Sequence, residues 1–319
     1  MPVDNADIIE PNHRWALVPT ADGNMHLVDL NPIEVQSIEP MFNAETDVFF
    51  ILHTRSNRNG VRIGMNADAI RATTYNVAHP TRFLIHGWSN DQTATVNVLC
   101  IEAYLRRGNF NLIVVDWGAG AQTINYIAAR NRVNQVGPFV ASFIDFMNLN
   151  GLMNFNTLNL VGHSLGGHAA GITGKRLTRG VAEAVFALDP AGPLFSLNSP
   201  DTRVAPNDAE YVEVIHTNGG VLGFLEPIGL ADFFPNWGSA QPGCGDDVGG
   251  GCAHNRVVNL FAESINSIFN AQRCESFNQI QNRVCTGRGS GRMGGDTGNF
   301  GNSGIYFMET NSAYPFSRE

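Results

Sequence analysis

The chain has 319 residues, of which 43% are apolar and 15% charged, a composition suited to a globular core and not to a disordered segment. Its formal charge of −9 argues against nucleic acid or an anionic membrane as a main partner, since both attract basic patches. No stretch approaches the roughly 18 consecutive apolar residues that a transmembrane segment requires. The start, Met1-Pro2-Val3-Asp4-Asn5, is polar, so any secretory signal is expected to have been removed.

Residues 1–45 carry weak periodicity, with strand candidates at Trp15-Ala16-Leu17-Val18 and His26-Leu27-Val28-Asp29-Leu30. They are expected to form an N-terminal extension packed on one α/β domain spanning 1–319. A strong strand follows at 48–54, in which His53 is a polar strand position without a role. Another buried strand, from Thr81, ends in His86-Gly87-Trp88. A helix is expected over 96–106, where Cys100 reads as a buried small hydrophobe. The run Leu112-Ile113-Val114-Val115 reads as a central strand ending at Asp116, and residues 122–149 as a helix kinked at Pro138.

The stretch from Leu158 to Gly171 contains Gly162-His163-Ser164-Leu165-Gly166 between a run of β-formers and a series of small residues. Strand, sharp turn and helix in that order form the nucleophile-elbow pattern, which lifts the serine hydroxyl clear of the sheet. Ser164 is the expected nucleophile. In that arrangement the oxyanion donors are the backbone N–H of Leu165 and one from the loop after an early strand, here Trp88. His86 is expected to hold that loop by hydrogen bonds.

The elbow pattern also sets an order of serine, acid, then histidine. Asp116 precedes the serine and reads as structural. Asp189 ends the buried strand Ala184-Val185-Phe186-Ala187-Leu188, one βαβ unit past Ser164, and is the expected acid. Two histidines follow it. His216 lies at the end of the strand from Tyr211, whereas His254 is expected on a loop just before a helix over 257–269, where it can move between serine and leaving group. His254 is preferred as the base.

Four of the five cysteines fall into two close pairs, Cys244/Cys252 and Cys274/Cys285. Their spacing suits two short disulfide loops and, without a C-x-x-C, no common zinc pattern, so an extracellular compartment is expected. Of the 20 basic residues only Lys175 is a lysine. Arginine stays charged well above the ~10.4 at which lysine titrates, so the surface is expected to keep its charge pattern in an alkaline fluid.

Together with His86-Gly87-Trp88, Leu188-Asp189-Pro190-Ala191-Gly192-Pro193, Asp232-Phe233-Phe234-Pro235-Asn236 and Cys252-Ala253-His254, the sequence resembles the pancreatic lipase family over nearly its whole length. The resemblance implies an α/β-hydrolase fold with a mostly parallel sheet, helices on both faces, and no C-terminal β-sandwich. It implies a lipid substrate and no cofactor. The family's lid lies between linked cysteines, but here Cys244 and Cys252 enclose only seven residues, Gly245 to Gly251, too few for an amphipathic flap. The loop from Asn218 to Ala231 is also short, and its Leu222, Phe224 and Leu225 are expected to meet lipid. The family's calcium loop corresponds to residues 200–208, where Ala205 replaces an acidic ligand, so weak or absent calcium binding is expected. A short lid and short loop resemble the A1-type phospholipases and lidless insect lipases, pointing to a secreted hydrolase of phospholipids or galactolipids in an insect gut. A neutral triacylglycerol lipase and a non-catalytic yolk or storage protein are the alternatives.

Overall fold

Uninterrupted apolar runs can lie side by side in a sheet only when helices cover both faces, and that is the arrangement found. The computed structural model describes residues 15–19, 25–30 and 41–319. Trp15–Pro19 (β1) and Met25–Asp29 (β2) form a separate antiparallel hairpin. The other strands are Phe49–Thr54 (β3), Asn57–Ile63 (β4), Thr81–Ile85 (β5), Asn111–Asp116 (β6), Leu158–His163 (β7), Ala184–Leu188 (β8), Tyr211–Ile215 (β9), Ala231–Pro235 (β10), Asn270–Cys274 (β11), Ser290–Arg292 (β12) and Gly304–Met308 (β13). They join one 11-stranded sheet in the order β12-β11-β13-β10-β9-β8-β7-β5-β6-β3-β4. From β6 through β13 the neighbours run parallel. Antiparallel pairs finish both edges.

Alternation along the strands sorts the core into two layers. Phe83, Ile113, Val115, Leu160 and Val185 point to one face with the helices Tyr126–Leu149 and Leu165–Arg176. Leu84, Leu112, Val114, Val161 and Phe186 point to the other, with Thr95–Arg107 and Gly251–Ser264. This is the α/β-hydrolase architecture. Ser164 follows β7 and Asp189 follows β8, so two adjacent parallel strands deliver them to the same edge.

Several elements depart from the boundaries that periodicity suggests, each for a physical reason. The polar, glycine-containing Asn57–Ile63 forms an edge strand that alternation does not signal. The helix expected over 122–149 starts at Tyr126, where Asn125 caps Ala128 N–H, and it runs through Pro138. The helix expected from 257 starts at Gly251, so His254 sits in its first turns and not on a loop. The Asp247 carboxylate causes this early start by accepting from Cys252 N–H and Ala253 N–H. The extension expected over 1–45 lies partly outside the described residues. Its hairpin meets the main body at His26, whose ring stands edge-on to Trp88 with centroids 6.3 Å apart.

The cysteines pair by proximity in the chain. Cys244 is bonded to Cys252 and Cys274 to Cys285, with Cα atoms 5.7 and 4.8 Å apart. The second bridge ties the end of β11 to the segment after the short helix Phe277–Gln281. Cys285 is half-buried there against the small apolar cluster of Phe234, Cys274 and Ile280, and its carbonyl accepts from Gln272 Nε2 at 3.1 Å. Cys100 is free and fully buried, with burial pushing its thiol up to about 12.

Candidate active site

The turn after β7 is tight enough to dictate its glycines. A Cβ on Gly162 would lie 2.0 Å from the Gly166 carbonyl oxygen, and one on Gly166 would lie 2.2 Å from that of Ile85. Ser164 occupies φ 58° and ψ −123°, a conformation that costs a non-glycine residue on the order of 1–3 kcal/mol. Asp189, at the end of the neighbouring strand, also has a positive φ of 41°. Two strained residues at adjacent strand ends mark this edge of the sheet.

The Asp189 carboxylate is fully buried and accepts three hydrogen bonds. Its Oδ1 accepts from Thr217 N–H at 2.8 Å and Asn218 N–H at 3.0 Å. Its Oδ2 accepts from His254 Nδ1 at 2.6 Å. That bond places the proton of a neutral His254 on Nδ1 and leaves Nε2 as the basic nitrogen. Among the described residues neither Nε2 nor the Ser164 hydroxyl has a hydrogen-bond partner, and both residues line one cleft with Trp88, Tyr126, Asn255 and Leu222. Such bonds are commonly long before substrate binds.

The backbone N–H groups of Leu165 and Trp88 donate to no described residue; Leu165 follows the serine and Trp88 lines the same cleft. Gly87 brings the second of them near, since a Cβ there would stand 2.9 Å from the Ser164 Cβ. Trp88 is fixed by Nε1 donating to Thr123 O at 2.8 Å. His86 holds the loop: Nδ1 donates to the Gly87 carbonyl at 3.0 Å, and Nε2 accepts from Trp117 N–H at 3.2 Å. Asp116 accepts from Gly118 N–H.

His216 is committed elsewhere. Its Nδ1 donates to Phe224 O and its Nε2 meets Asp232 Oδ1, both at 3.0 Å, while its ring stacks on Phe234. Of the three loop residues expected to meet lipid, Leu222 lines the cleft. Phe224 is drawn into the core, with its N–H on Pro190 O and Arg203 over its ring. Leu225 is half-buried and is not part of the cleft lining.

The four bridged cysteines stand outside the cleft lining as well. The Cys244–Cys252 bridge still bears on the site, because Cys252 belongs to the helix that carries His254. The Cys274–Cys285 bridge does not: it staples β11, an antiparallel strand near the far edge of the sheet, so Cys274 and Cys285 are structural residues and not site residues.

Two contributors escape sequence reasoning. Gly223 lets the chain pass against the acid, since a Cβ would lie 2.5 Å from Asp189 Oδ1. His163 donates from Nε2 to the His254 carbonyl at 3.1 Å, and burial, with the neighbouring His254 adding, pushes it down to about 3. Its position inside the elbow pattern was the available signal. Among the described residues, Cys244, Asp247 and Cys252 come near enough to suggest a metal group, but their sulfurs are joined and Asp247 caps the helix.

The profile of the family described as Lipase matches residues 23–316. The chain is 35% identical over 253 residues to Lipase member H of Oryctolagus cuniculus, covering 76% of this chain and 54% of that protein. It is 33% identical over 236 residues to Phospholipase A1 of Polybia paulista, covering 69% and 72%. It is 31% identical over 261 residues to Pancreatic lipase-related protein 2 of Cavia porcellus, covering 77% and 58%. The chain spans about half the length of the first and last of these relatives.

Proposed function

The chain belongs to the lipase family, and on that premise we propose that it is a secreted carboxylic ester hydrolase that releases fatty acids from glycerolipids. The observation that carries the reading is the 2.6 Å bond from His254 Nδ1 to the buried Asp189, with Ser164 in the same cleft. In this scheme Ser164 attacks the ester carbonyl and His254 Nε2 takes its proton. Asp189 orients the ring and stabilises the imidazolium. The N–H groups of Leu165 and Trp88 receive the developing oxyanion. His254 returns the proton to the departing alcohol, and a water activated by the same nitrogen releases the acid from the acyl-enzyme.

The finer substrate reading is a phospholipid or galactolipid cut at the sn-1 ester. It is supported by the short 244–252 loop, which offers no movable cover among the described residues: Gly245 to Gly251 is closed by a disulfide and tied down by Asp247. An uncovered cleft admits a polar head group. Secretion is supported by the two disulfides. The test is fatty-acid release from phosphatidylcholine, galactolipid and tributyrin by wild type and Ser164→Ala. The first two substrates should be cleaved by wild type alone. Cleavage of tributyrin only would favour a neutral lipase, and no fluorophosphonate labelling of Ser164 in the folded protein would favour a lipid carrier.

A further inference from the structure

The sole lysine of the chain is not a surface residue. Lys175 lies in the last turn of the helix Leu165–Arg176, with a side chain 17% exposed, and its ammonium donates to Oδ1 of Asp208, 3% exposed. Oδ2 of the same carboxylate accepts from Ala205 N–H at 2.8 Å. The loop is also held by a second cation. Arg203 donates from Nε to Ser196 O at 3.0 Å, from Nη1 to Val204 O at 2.7 Å, and from Nη2 to Leu197 O at 3.0 Å.

This donor set does not fit the calcium ion that the family resemblance implies for residues 200–208. A hard divalent cation needs six or more oxygens, several of them charged. Here the buried carboxylate is taken by an ammonium, three nearby carbonyls by a guanidinium, and position 205 offers a methyl group. The helix backbone also packs directly on the loop at Gly171 and Gly174. A Cβ on Gly174 would lie 2.1 Å from Asp208 O, and one on Gly171 would lie 2.5 Å from Val204 Cα.

We propose that Lys175 and Arg203 are built-in substitutes for a loop-bound divalent cation, so that the 200–208 loop is held to the serine's helix without metal. The consequence reaches the cleft, because Arg203 covers the ring of Phe224 at 5.7 Å and Phe224 anchors the segment that carries Leu222. An ammonium is a fixed point charge that cannot be removed by dilution or chelation. Breaking a buried pair by removing one partner strands the other charge, a larger penalty than replacing both.

The proposal does not rest on the hydrolase reading, and its test needs no substrate. Thermal unfolding of the chelator-treated protein is followed in millimolar EGTA and in millimolar calcium chloride, for wild type, Lys175→Met, Lys175→Arg and the double variant Lys175→Met/Asp208→Asn. Wild type should melt within about 1 °C in the two buffers. Lys175→Met should fall by several degrees, Lys175→Arg by less, and the double variant should regain part of the loss. A wild-type midpoint that rises by several degrees with calcium would overturn the proposal, as would Lys175→Met melting with wild type in EGTA. If Lys175→Met does not fold, the buffer comparison on wild type and the Lys175→Arg midpoint still decide.

Discussion

Nε2 of His163 and the backbone carbonyl of His254 are joined by a 3.1 Å hydrogen bond, and their rings lie 4.7 Å apart. The residue before the proposed nucleophile therefore sets the height of the helix that carries the proposed base. Burial keeps the His163 ring neutral throughout the range in which an enzyme of this kind would work, so it adds no charge beside an imidazolium.

His163→Phe removes the donor and keeps the volume. Turnover of a soluble ester should fall by roughly 100-fold, the cost of a small misplacement of reacting groups, with little change in KM. His163→Gln, which keeps a donor, should recover part of it. Equal kcat for wild type and His163→Phe would show that the bond has no bearing on the chemistry.

Asp189→Asn leaves the buried site filled but removes the charge that selects the tautomer of His254. A fall in kcat on the order of 10⁴ is expected, by comparison with the Ser-His-Asp template. Gly223→Ala reaches the same carboxylate from outside, because its methyl would need the space of Oδ1. Fluorophosphonate labelling of Ser164 should slow in both variants, and unchanged labelling rates would remove Asp189 from the mechanism.

Replacing Cys244 and Cys252 together by serine opens the loop whose Asp247 caps the His254 helix. Closing a loop this short is worth about 2–3 kcal/mol against the unfolded chain. Urea unfolding should show a loss of that order. Ester hydrolysis should fall further than stability explains, since the first turn of the helix frays next to His254. Serine at Cys274 and Cys285 is the control, because that bridge is remote from the cleft: stability should drop comparably while kcat of the folded protein stays at the wild-type level.

Glu213 is fully buried, with Tyr211 donating to Oε2 at 2.6 Å and Gly294 N–H to Oε1 at 2.6 Å. Burial raises its carboxyl from about 4.5 to about 8. The folded protein thus binds a proton that the unfolded chain has released between those values. Its contribution to stability is complete below pH 4.5 and is lost as pH rises to 8. Relative to wild type, Glu213→Gln should gain by up to roughly 1.4 kcal/mol per pH unit across that window. His163 and His168, both pushed down to about 3, act oppositely and cost stability as acid is added below the ordinary histidine range. Because they are common to both proteins, the difference in unfolding free energy at pH 5, 6, 7 and 8 isolates Glu213. A constant difference would show that Glu213 is ionised in the folded protein throughout.

Much of this was legible in the order of residues, and the reason is local. A nucleophile elbow is a short-range object: Gly162 and Gly166 are required by atoms a few residues away, and the four-residue apolar run before Asp116 needs only its own length to signal a buried strand. The cysteine pairs were legible for the same reason, being separated by 8 and 11 positions. That the Cys274–Cys285 pair lies away from the cleft was not, since the place of β11 in the sheet depends on strands far from it in the chain. Phe224 and Leu225 were also less legible. Apolar character shows that a side chain will leave water but not whether it enters a cleft or a core. The carbonyl bond to His216 and the cover of Arg203 decided that for Phe224.

The sequence alone determined the strand-turn-helix around Ser164, the acid after the next strand, and a histidine beside a disulfide, because periodicity and glycine placement act over a few residues. Only the tertiary structure decided which histidine the acid holds and what the lone lysine faces. Those outcomes depend on hydrogen bonds between residues 65 and 33 positions apart, and bonds of that reach exist only after the sheet has brought its segments together.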